Sequence, residues 1–408
     1  MHILVVSHYF YPEEFKINDL VRDFVKRGHQ VTVITGKPNY PKGQYFKGYK
    51  FWGVQKEKYE GADVIHVPMI RRGKKSLVGL FFNYISFAFF GSWYVLFHKM
   101  DYDHIFCWEN SPIFQCYPGI ILKWKKKIPM SIWVQDLWPE SFLPAVSVKG
   151  DGIAMKLLDK IVKNVYKNSD IIFISSPRFI ESVAKREPDT SKVIYAPNWA
   201  ENLFFSPEFI NKEKYEDLFP KGFIVMFAGN LGMLQAPEFI LQAAEQTKDY
   251  DEIKFVFLGD GSRRQMMEEK AKEMELLDKK VFFFGRYSVT EMPSFFCHAD
   301  VMLVTLWDYY HLALTLPSRT QSYMASHKPI ATMINGTGND VVKEANCGLT
   351  ASAEDYKTLA DNIVKLYQMP RTKLAELGDN GYRYYLEHFK EEHVVNTIEK
   401  AIKQYSKQ

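Results

Sequence analysis

Apolar and polar positions along the chain fall into two alternating patterns. Short β-rich runs occur at His2–Val6, Gln30–Thr35, Asp63–Val67, His104–Cys107, Met130–Val134, Asp170–Ser175 and Val193–Tyr195. Helical patterns fill the intervals. The clearest is Phe15–Arg27, where Ile17, Leu20, Val21, Phe24 and Val25 share one face and Gly28 follows as a stop signal. Strands alternating with helices predict a parallel sheet covered on both faces.

The pattern then starts again. Lys221–Gly229 reads as an apolar strand, a helix follows from about Pro237, and further strands fit Lys254–Leu258, Val281–Phe284, Asp300–Val304 and Pro329–Met333. Between the two series, Asn198–Phe219 mixes Pro, Asn, Glu and Lys without periodicity, as a linker does. Thr372–Gln408 reads as two helices with no strand between them. A chain of 408 residues suits two cores better than one. The expectation is an α/β protein of two Rossmann-like, doubly wound domains, 1–199 and 200–385, with a helical segment 386–408.

One helical pattern stands apart. Leu77–Phe97 (LVGLFFNYISFAFFGSWYVLF) carries no charge and is long enough to cross a bilayer. It lies between Asp63–Val67 and His104–Cys107, which a single sheet must hold on one side of any membrane. A crossover helix is therefore expected, either wholly buried or with one apolar face exposed. Exposure is the favoured reading, because a sheet covers only one side of a helix that is apolar all round. Arg71, Arg72, Lys74 and Lys75 precede it, and Lys123–Lys127 adds a second basic run. Together they predict a peripheral contact with an anionic membrane surface.

Composition narrows the class. With 47% hydrophobic and 25% charged residues the chain is globular, and a net charge of +4 gives no case for nucleic acid. Cys107, Cys116, Cys297 and Cys347 form no CxxC pair, which predicts neither a disulfide framework nor a zinc site and fits a reducing cytoplasm. Met1 runs directly into Ile3–Val6 without a signal-peptide pattern.

Ligands of doubly wound sheets bind beyond the carboxyl ends of the strands, so the loops there hold the candidate chemistry. The first, Ser7–Glu14, lacks the GxGxxG of a nicotinamide dehydrogenase. Its His8, Glu13 and Glu14 are candidate ligand residues, or equally loop and helix-start residues. In the second half, Gly229-Asn230-Leu231-Gly232, Gly259-Asp260-Gly261 and Gly336-Thr337-Gly338-Asn339 each follow a strand. Such turns let backbone N–H groups approach a phosphate, though any one of them is also an ordinary tight turn. Arg264, Arg286, Arg319 and Lys328 are nearby cations, of which one or two are expected to meet a diphosphate. Two such ligand edges facing each other would form a cleft between the domains.

At this point the residues resemble a known family. "FAGNLGMLQAPEFILQAA", "FLGDGSRRQMME", "VFFFGRYSVTEMPSFFCHADVMLV" and "LPSRTQSYMASHKPIA" are similar to the donor domain of family 4 glycosyltransferases of GT-B fold. "YFYPEEFKINDL", "RGHQVTVITGKPNYPKG" and "VQDLWPES" extend the likeness through the first half. The subgroup most resembled is the N-acetyl-L-fucosamine transferases of O-antigen and capsule synthesis.

The resemblance implies a UDP-sugar donor in the second domain, retention of anomeric configuration without a metal or other cofactor, and a polyprenyl-diphosphate-linked or other membrane-presented glycan acceptor. It implies Arg264 and Arg319 at the diphosphate and Asp136 close to the reacting sugar. Gly229, Asn230, Gly232, Gln235, Gly261, Arg286, Tyr287, Pro317, Ser318, Gly338 and Asn339 are the expected donor-binding set. Glu140 joins Asp136 as a possible acid or base, with helix capping the alternative for both. The last helices would return to the first domain, and the enzyme would sit on the inner face of the plasma membrane.

The chain also departs from the family. Asn230 and Gln235 stand where many members carry Arg and Lys, Leu314 and Ser322 where many carry a Glu pair, and Gln135 where many have His before the acid. Loss of the first Glu fits a 6-deoxy sugar with fewer polar edges. The missing Glu pair also keeps open a non-catalytic nucleotide-sugar-binding subunit, and a sugar-nucleotide epimerase of GT-B shape is the alternative enzyme.

Overall fold

The computed structural model describes residues 1–73, 77–141, 152–204 and 206–406. The chain divides into two compact units, Met1–Ala196 with Val395–Gln408, and Pro197–Val394.

The strands of the first unit are β1 (His2–Val6), β2 (Gln30–Thr35), β3 (Gln55–Tyr59), β4 (Ala62–His66), β5 (His104–Glu109), β6 (Met130–Val134), β7 (Ile171–Ile174) and β8 (Val193–Tyr195). They lie in the order β3-β4-β2-β1-β5-β6-β7-β8, parallel except for β3. Ile3, Leu4, Val5 and Val6 of β1 are fully buried, as a central parallel strand requires. The sequence pattern misses β3 because QKEKY has no apolar run: it is an antiparallel edge strand alternating half-buried and exposed residues.

Four longer helices accompany this sheet: α1 (Lys16–Lys26), α2 (Leu77–Phe97), α3 (Tyr117–Lys126) and α4 (Ile153–Asn168). The apolar segment is a crossover helix, α2. Asn83, Phe87, Tyr94 and Val95 form its buried stripe. A side chain on Gly91 would come within 2.8 Å of Pro118 Cγ, so a glycine is what lets α2 rest on α3. The opposite stripe, Val78, Phe81, Phe82, Ile85, Phe89, Trp93, Leu96 and Phe97, is exposed. Lys125 Nζ donates to the carbonyls of Val95 and Leu96 at 3.1 and 2.5 Å, which places the basic run of α3 at the end of α2. Of the cluster preceding α2, Lys74 and Lys75 lie outside the described residues.

The second unit holds β9 (Phe223–Ala228), β10 (Ile253–Leu258), β11 (Val281–Gly285), β12 (Val301–Thr305), β13 (Ile330–Met333) and β14 (Gly348–Ala351), all parallel, in the order β11-β10-β9-β12-β13-β14. Its longer helices are α5 (Pro237–Gln246), α6 (Arg264–Glu273), α7 (Ser318–Ala325), α8 (Thr337–Glu344), α9 (Tyr356–Gln368) and α10 (Arg371–His388). Phe223, Val225 and Phe227 pack on one face with Ile240 of α5, Met267 of α6 and Ile363 of α9. Ile224, Met226 and Ala228 pack on the other with Tyr323 of α7 and Val342 of α8. This period-2 division of one strand between two cores is what a doubly wound sheet demands.

The final helix, α11 (Glu391–Tyr405), contributes most of its length to the first unit. Glu399 anchors it there, accepting from Arg27 Nη1 at 3.0 Å and lying 2.8 Å from His29 Nε2.

Candidate functional site

In the second sheet the chain leaves β9 in one direction to reach β10 and in the other to reach β12, so the crevice for a ligand opens beyond these two neighbours. Two glycine turns meet there. A side chain on Gly259 would strike the Gly229 carbonyl at 1.9 Å, and one on Gly261 the Leu231 carbonyl at 2.4 Å. Backbone bonds lace the turns together: Leu231 N–H to Asp260 O and Arg263 N–H to Leu231 O, both 2.9 Å. Gly259 also has φ +148°, which a β-carbon resists. Gly259→Ala is therefore expected to cost roughly 2–4 kcal/mol of stability. Urea denaturation measures it, and an unchanged midpoint would mean that the two turns are not in register.

Gln235 closes the first turn, its Oε1 accepting from Gly232 N–H at 3.1 Å, while Thr305 at the end of β12 donates to the Gln235 carbonyl at 2.5 Å. Asn230 is exposed, with its Nδ2 lying 2.7 Å from the place a Gly232 side chain would occupy. Arg319, in the first turn of α7, lies against this turn: its Nη2 is 3.4 Å from the place a Gly229 side chain would occupy. Its Cζ sits 4.5 Å from the centre of the Phe227 ring. No carboxylate pairs with it among the described residues, and its buried Nη1 has no hydrogen-bond partner there. Burial pulls its pKa below the usual arginine value, yet a guanidinium stays charged in a protein. Pro317 precedes α7, and Ser318 beside Arg319 is exposed.

Arg264 opens α6. Its Nε pairs with Glu268 at 2.8 Å, and its Nη1 lies 3.2 Å from a β-carbon placed on Gly285. Arg286 is exposed, and the Tyr287 ring packs 4.5 Å from Phe295. Lys328 is spent on the fold, donating to the carbonyls of Cys297 and Ala299. Gly338 is crowded by Ile334, and the Asn339 amide is fully committed, bonding Thr332, the Ile334 carbonyl and the Ala351 carbonyl. These two residues hold the third turn, leaving only its backbone for a ligand. Leu314 is 2% exposed, so a glutamate there would have to lose its solvation or displace its neighbours.

The corresponding crevice of the first sheet lies beyond β1 and β5. His8 is fully buried, and its Nε2 bonds Asn83 Oδ1 of α2 at 2.9 Å. Because the Asn83 amide nitrogen already donates to Ile70 O, the oxygen must accept and His8 Nε2 must carry the proton. Burial holds this imidazole neutral, with its pKa down at about 3. Glu13 is 4% exposed, and its Oε1 accepts from the N–H groups of Asn39 and Tyr40 at 2.7 and 2.6 Å; burial raises it to about 7. It ties down the loop after β2, whereas Glu14 is exposed.

Asp136 follows β6. Its Oδ2 accepts from Ser111 Oγ at 2.7 Å, and burial raises its pKa to about 6. Glu140 is committed elsewhere, accepting from Ser182 at 2.7 Å and Arg186 at 2.8 Å. The structure instead sets Glu109, the last residue of β5, beside Asp136. It is fully buried and raised well above the usual carboxyl range by burial first and the Asp136 charge second. The sequence reading missed Glu109. Its signal was a carboxyl ending an otherwise apolar strand.

Comparison with known proteins places these sheets. Residues 222–369 match the family described as Glycosyl transferases group 1. Among curated relatives, the probable glycosyltransferase WbjE of Pseudomonas aeruginosa is 29% identical over 251 residues, 59% of this chain and 60% of that protein, so the chain spans less than two thirds of its length. The putative colanic acid biosynthesis glycosyl transferase WcaI of Escherichia coli (strain K12) is 25% identical over 74% of this chain and 76% of its own. Among solved structures, sucrose-phosphate synthase from Thermosynechococcus elongatus superposes with a TM-score of 0.77 at 16% identity, covering 99% of this chain and 98% of that one. Anabaena HepE, crystallised with UDP, gives 0.71 at 13% identity over 99% and 100%. The chain thus has the GT-B fold, and its residues 222–369 are similar to glycosyl transferases group 1.

Proposed function

We propose that the protein is a retaining glycosyltransferase of family 4. In this reading it moves a sugar from a UDP-sugar, held by the second unit, to a polyprenyl-diphosphate-linked glycan in bacterial surface polysaccharide synthesis. The single observation that carries the reading is Arg319: a half-buried guanidinium with no carboxylate among the described residues, set against two glycine turns where a sheet of this topology binds ligand. An unpaired buried charge is costly, and an anion at the Gly229 turn would relieve that cost. The Anabaena protein's UDP agrees in kind.

In the proposed chemistry, Arg319 and Arg264 neutralise the departing diphosphate, because the N–H groups of Gly229, Gly232 and Gly261 are already bonded within their turns, so the chain's own cations serve without a metal or cofactor. The donor proposed is an N-acetylated 6-deoxy sugar such as N-acetyl-L-fucosamine. The leaving phosphate accepts the acceptor's proton on the same face of the sugar, which gives retention without a protein nucleophile. Asp136 orients the reacting sugar. The exposed stripe of α2 and the lysines at its end seat the enzyme on the cytoplasmic face of the membrane, where such an acceptor is presented.

The test is UDP release from a panel of UDP-sugars with a prenyl-diphosphate-linked acceptor. Release is expected with an N-acetylated 6-deoxy sugar, and absence of both release and UDP binding overturns the reading. Since Asp136 is raised to about 6 by burial, kcat/KM should climb through that pH as its carboxylate forms. Asp136→Asn should lower the plateau at least about 100-fold and abolish the limb. A wild-type profile flat from about pH 5 to 8 would remove Asp136 from the chemistry.

A further inference from the structure

Buried polar atoms without partners gather in one part of the first unit. His8 Nδ1, the Tyr9 hydroxyl and the Trp108 indole N–H have no hydrogen-bond partner among the described residues, and the buried Glu109 carboxyl beside them faces the backbone N–H groups of Ser111 and Asp136. All four residues are at most 4% exposed. They sit at the carboxyl ends of adjacent strands β1 and β5 and are linked by rings: His8 to Tyr9 at 4.4 Å, Tyr9 to Phe15 at 5.4 Å, Phe15 to Trp108 at 5.5 Å. Native interiors seldom leave such atoms unpaired, and a cluster of them at a ligand crevice marks a place for a polar guest.

A cation stands at the edge of this cluster. Arg72 Cζ lies 5.2 Å from the centre of the Tyr40 ring, which is itself 5.6 Å from Tyr9. The Arg72 backbone is pinned, its N–H donating to Asn39 Oδ1 at 3.0 Å, while its guanidinium has no ion pair among the described residues. Its charge is felt at His8, Tyr9, Glu13 and Tyr84. Of the carboxyls here, Glu13 is occupied by two backbone amides, and Glu109 is buried away from solvent. The same loop is fastened to α2: Ile70 N–H donates to Ser86 Oγ at 2.9 Å, and Asn83 donates to Ile70 O at 2.6 Å. Arg72 therefore stands two residues from the anchor of the helix whose far side is an exposed apolar stripe.

We propose that Arg72, with the aromatic wall of Tyr9 and Tyr40, forms the site where the first unit grips the phosphate ester of its acceptor, a prenyl diphosphate whose tail belongs with the apolar surface of α2. A guanidinium matches the phosphate, the orphaned hydroxyl of Tyr9 adds a donor, and the aromatic faces suit the first sugar or the allylic carbons. The proposal rests on the acceptor class argued above, and the experiment separates the two.

Wild-type protein and the Arg72→Gln variant are titrated with geranyl diphosphate, inorganic pyrophosphate, anionic phosphatidylglycerol vesicles and UDP, read by calorimetry and tryptophan fluorescence. Wild type is expected to bind geranyl diphosphate well above pyrophosphate. Arg72→Gln is expected to weaken geranyl diphosphate roughly 10- to 100-fold and raise the acceptor KM without moving kcat or UDP affinity. Tyr9→Phe, which keeps the ring and removes only the hydroxyl, serves if Arg72→Gln misfolds and is expected to lower the same affinity about 5-fold. Unchanged geranyl diphosphate affinity in both variants overturns the site. Equal binding of pyrophosphate and geranyl diphosphate, or an Arg72 dependence confined to vesicles, also overturns it as an ester site. If UDP still binds in those cases the donor reading survives, whereas loss of UDP binding by the wild type would sink that reading instead.

Discussion

Arg319→Met is expected to leave the protein at least as stable as the wild type while weakening UDP about 10- to 100-fold and turnover about 10²–10³-fold. The two halves of this result have one cause. Folding puts the guanidinium beside Gly229 and Phe227 without a carboxylate among the described residues. Its contact with the Phe227 ring returns only about 1–2 kcal/mol, against its share, as a half-buried group, of the several kcal/mol that fully desolvating an ion costs. Methionine fills similar volume with no charge to desolvate, so the melting temperature should hold or rise by a few degrees. Differential scanning calorimetry with and without UDP measures both effects, since only the wild type should gain stability from the nucleotide. A variant that melts lower yet keeps its UDP-induced gain would make Arg319 a structural residue.

Replacing Phe81, Phe89, Trp93 and Phe97 together by serine is expected to lower partition onto anionic vesicles at least about 10³-fold, at about 1–2 kcal/mol for each side chain moved out of lipid. The four are 55%, 57%, 55% and 67% exposed, so they contribute little to the core of the first unit. The inward stripe of Asn83, Phe87 and Tyr94 is untouched. Thermal stability and UDP binding should stay as they are, and solubility should improve, because the stripe is a large contiguous apolar surface. Flotation on a sucrose gradient reads the result. A variant that floats like the wild type would assign the stripe to a protein contact and not to lipid.

Much of the fold was legible because both sheets are parallel and buried on both faces, which writes each strand as a continuous apolar run. β1, β2, β6 and β8 fall on the residues that the pattern marks. The failures sit where that condition lapses, at the antiparallel edge β3 and the short strand β14, which pairs only with β13. The glycine turns after β9 and β10 were visible because close approach of two backbones admits no other residue. Glu109 was not visible. A carboxyl at a strand end looks solvated in one dimension, and only the pairing of β5 between β1 and β6 buries it. Glu13 shows the same gap, since its partners Asn39 and Tyr40 are brought to it by the loop after β2. Arg72 read as one charge of a lipid-directed cluster until the Tyr40 ring was found beneath it.

The return of residues 395–408 to the first unit bears on the order in which the protein matures during synthesis. The second unit is continuous in sequence, so it can complete its core as soon as residue 394 clears the ribosome. The first cannot, although its sheet is translated earlier, because Arg27 and His29 wait for Glu399. A nascent chain therefore carries an unfinished N-terminal half, with the bare aromatic flank of α2 already made, through the synthesis of some two hundred further residues. That interval is when chaperone capture or premature lipid adsorption competes with folding.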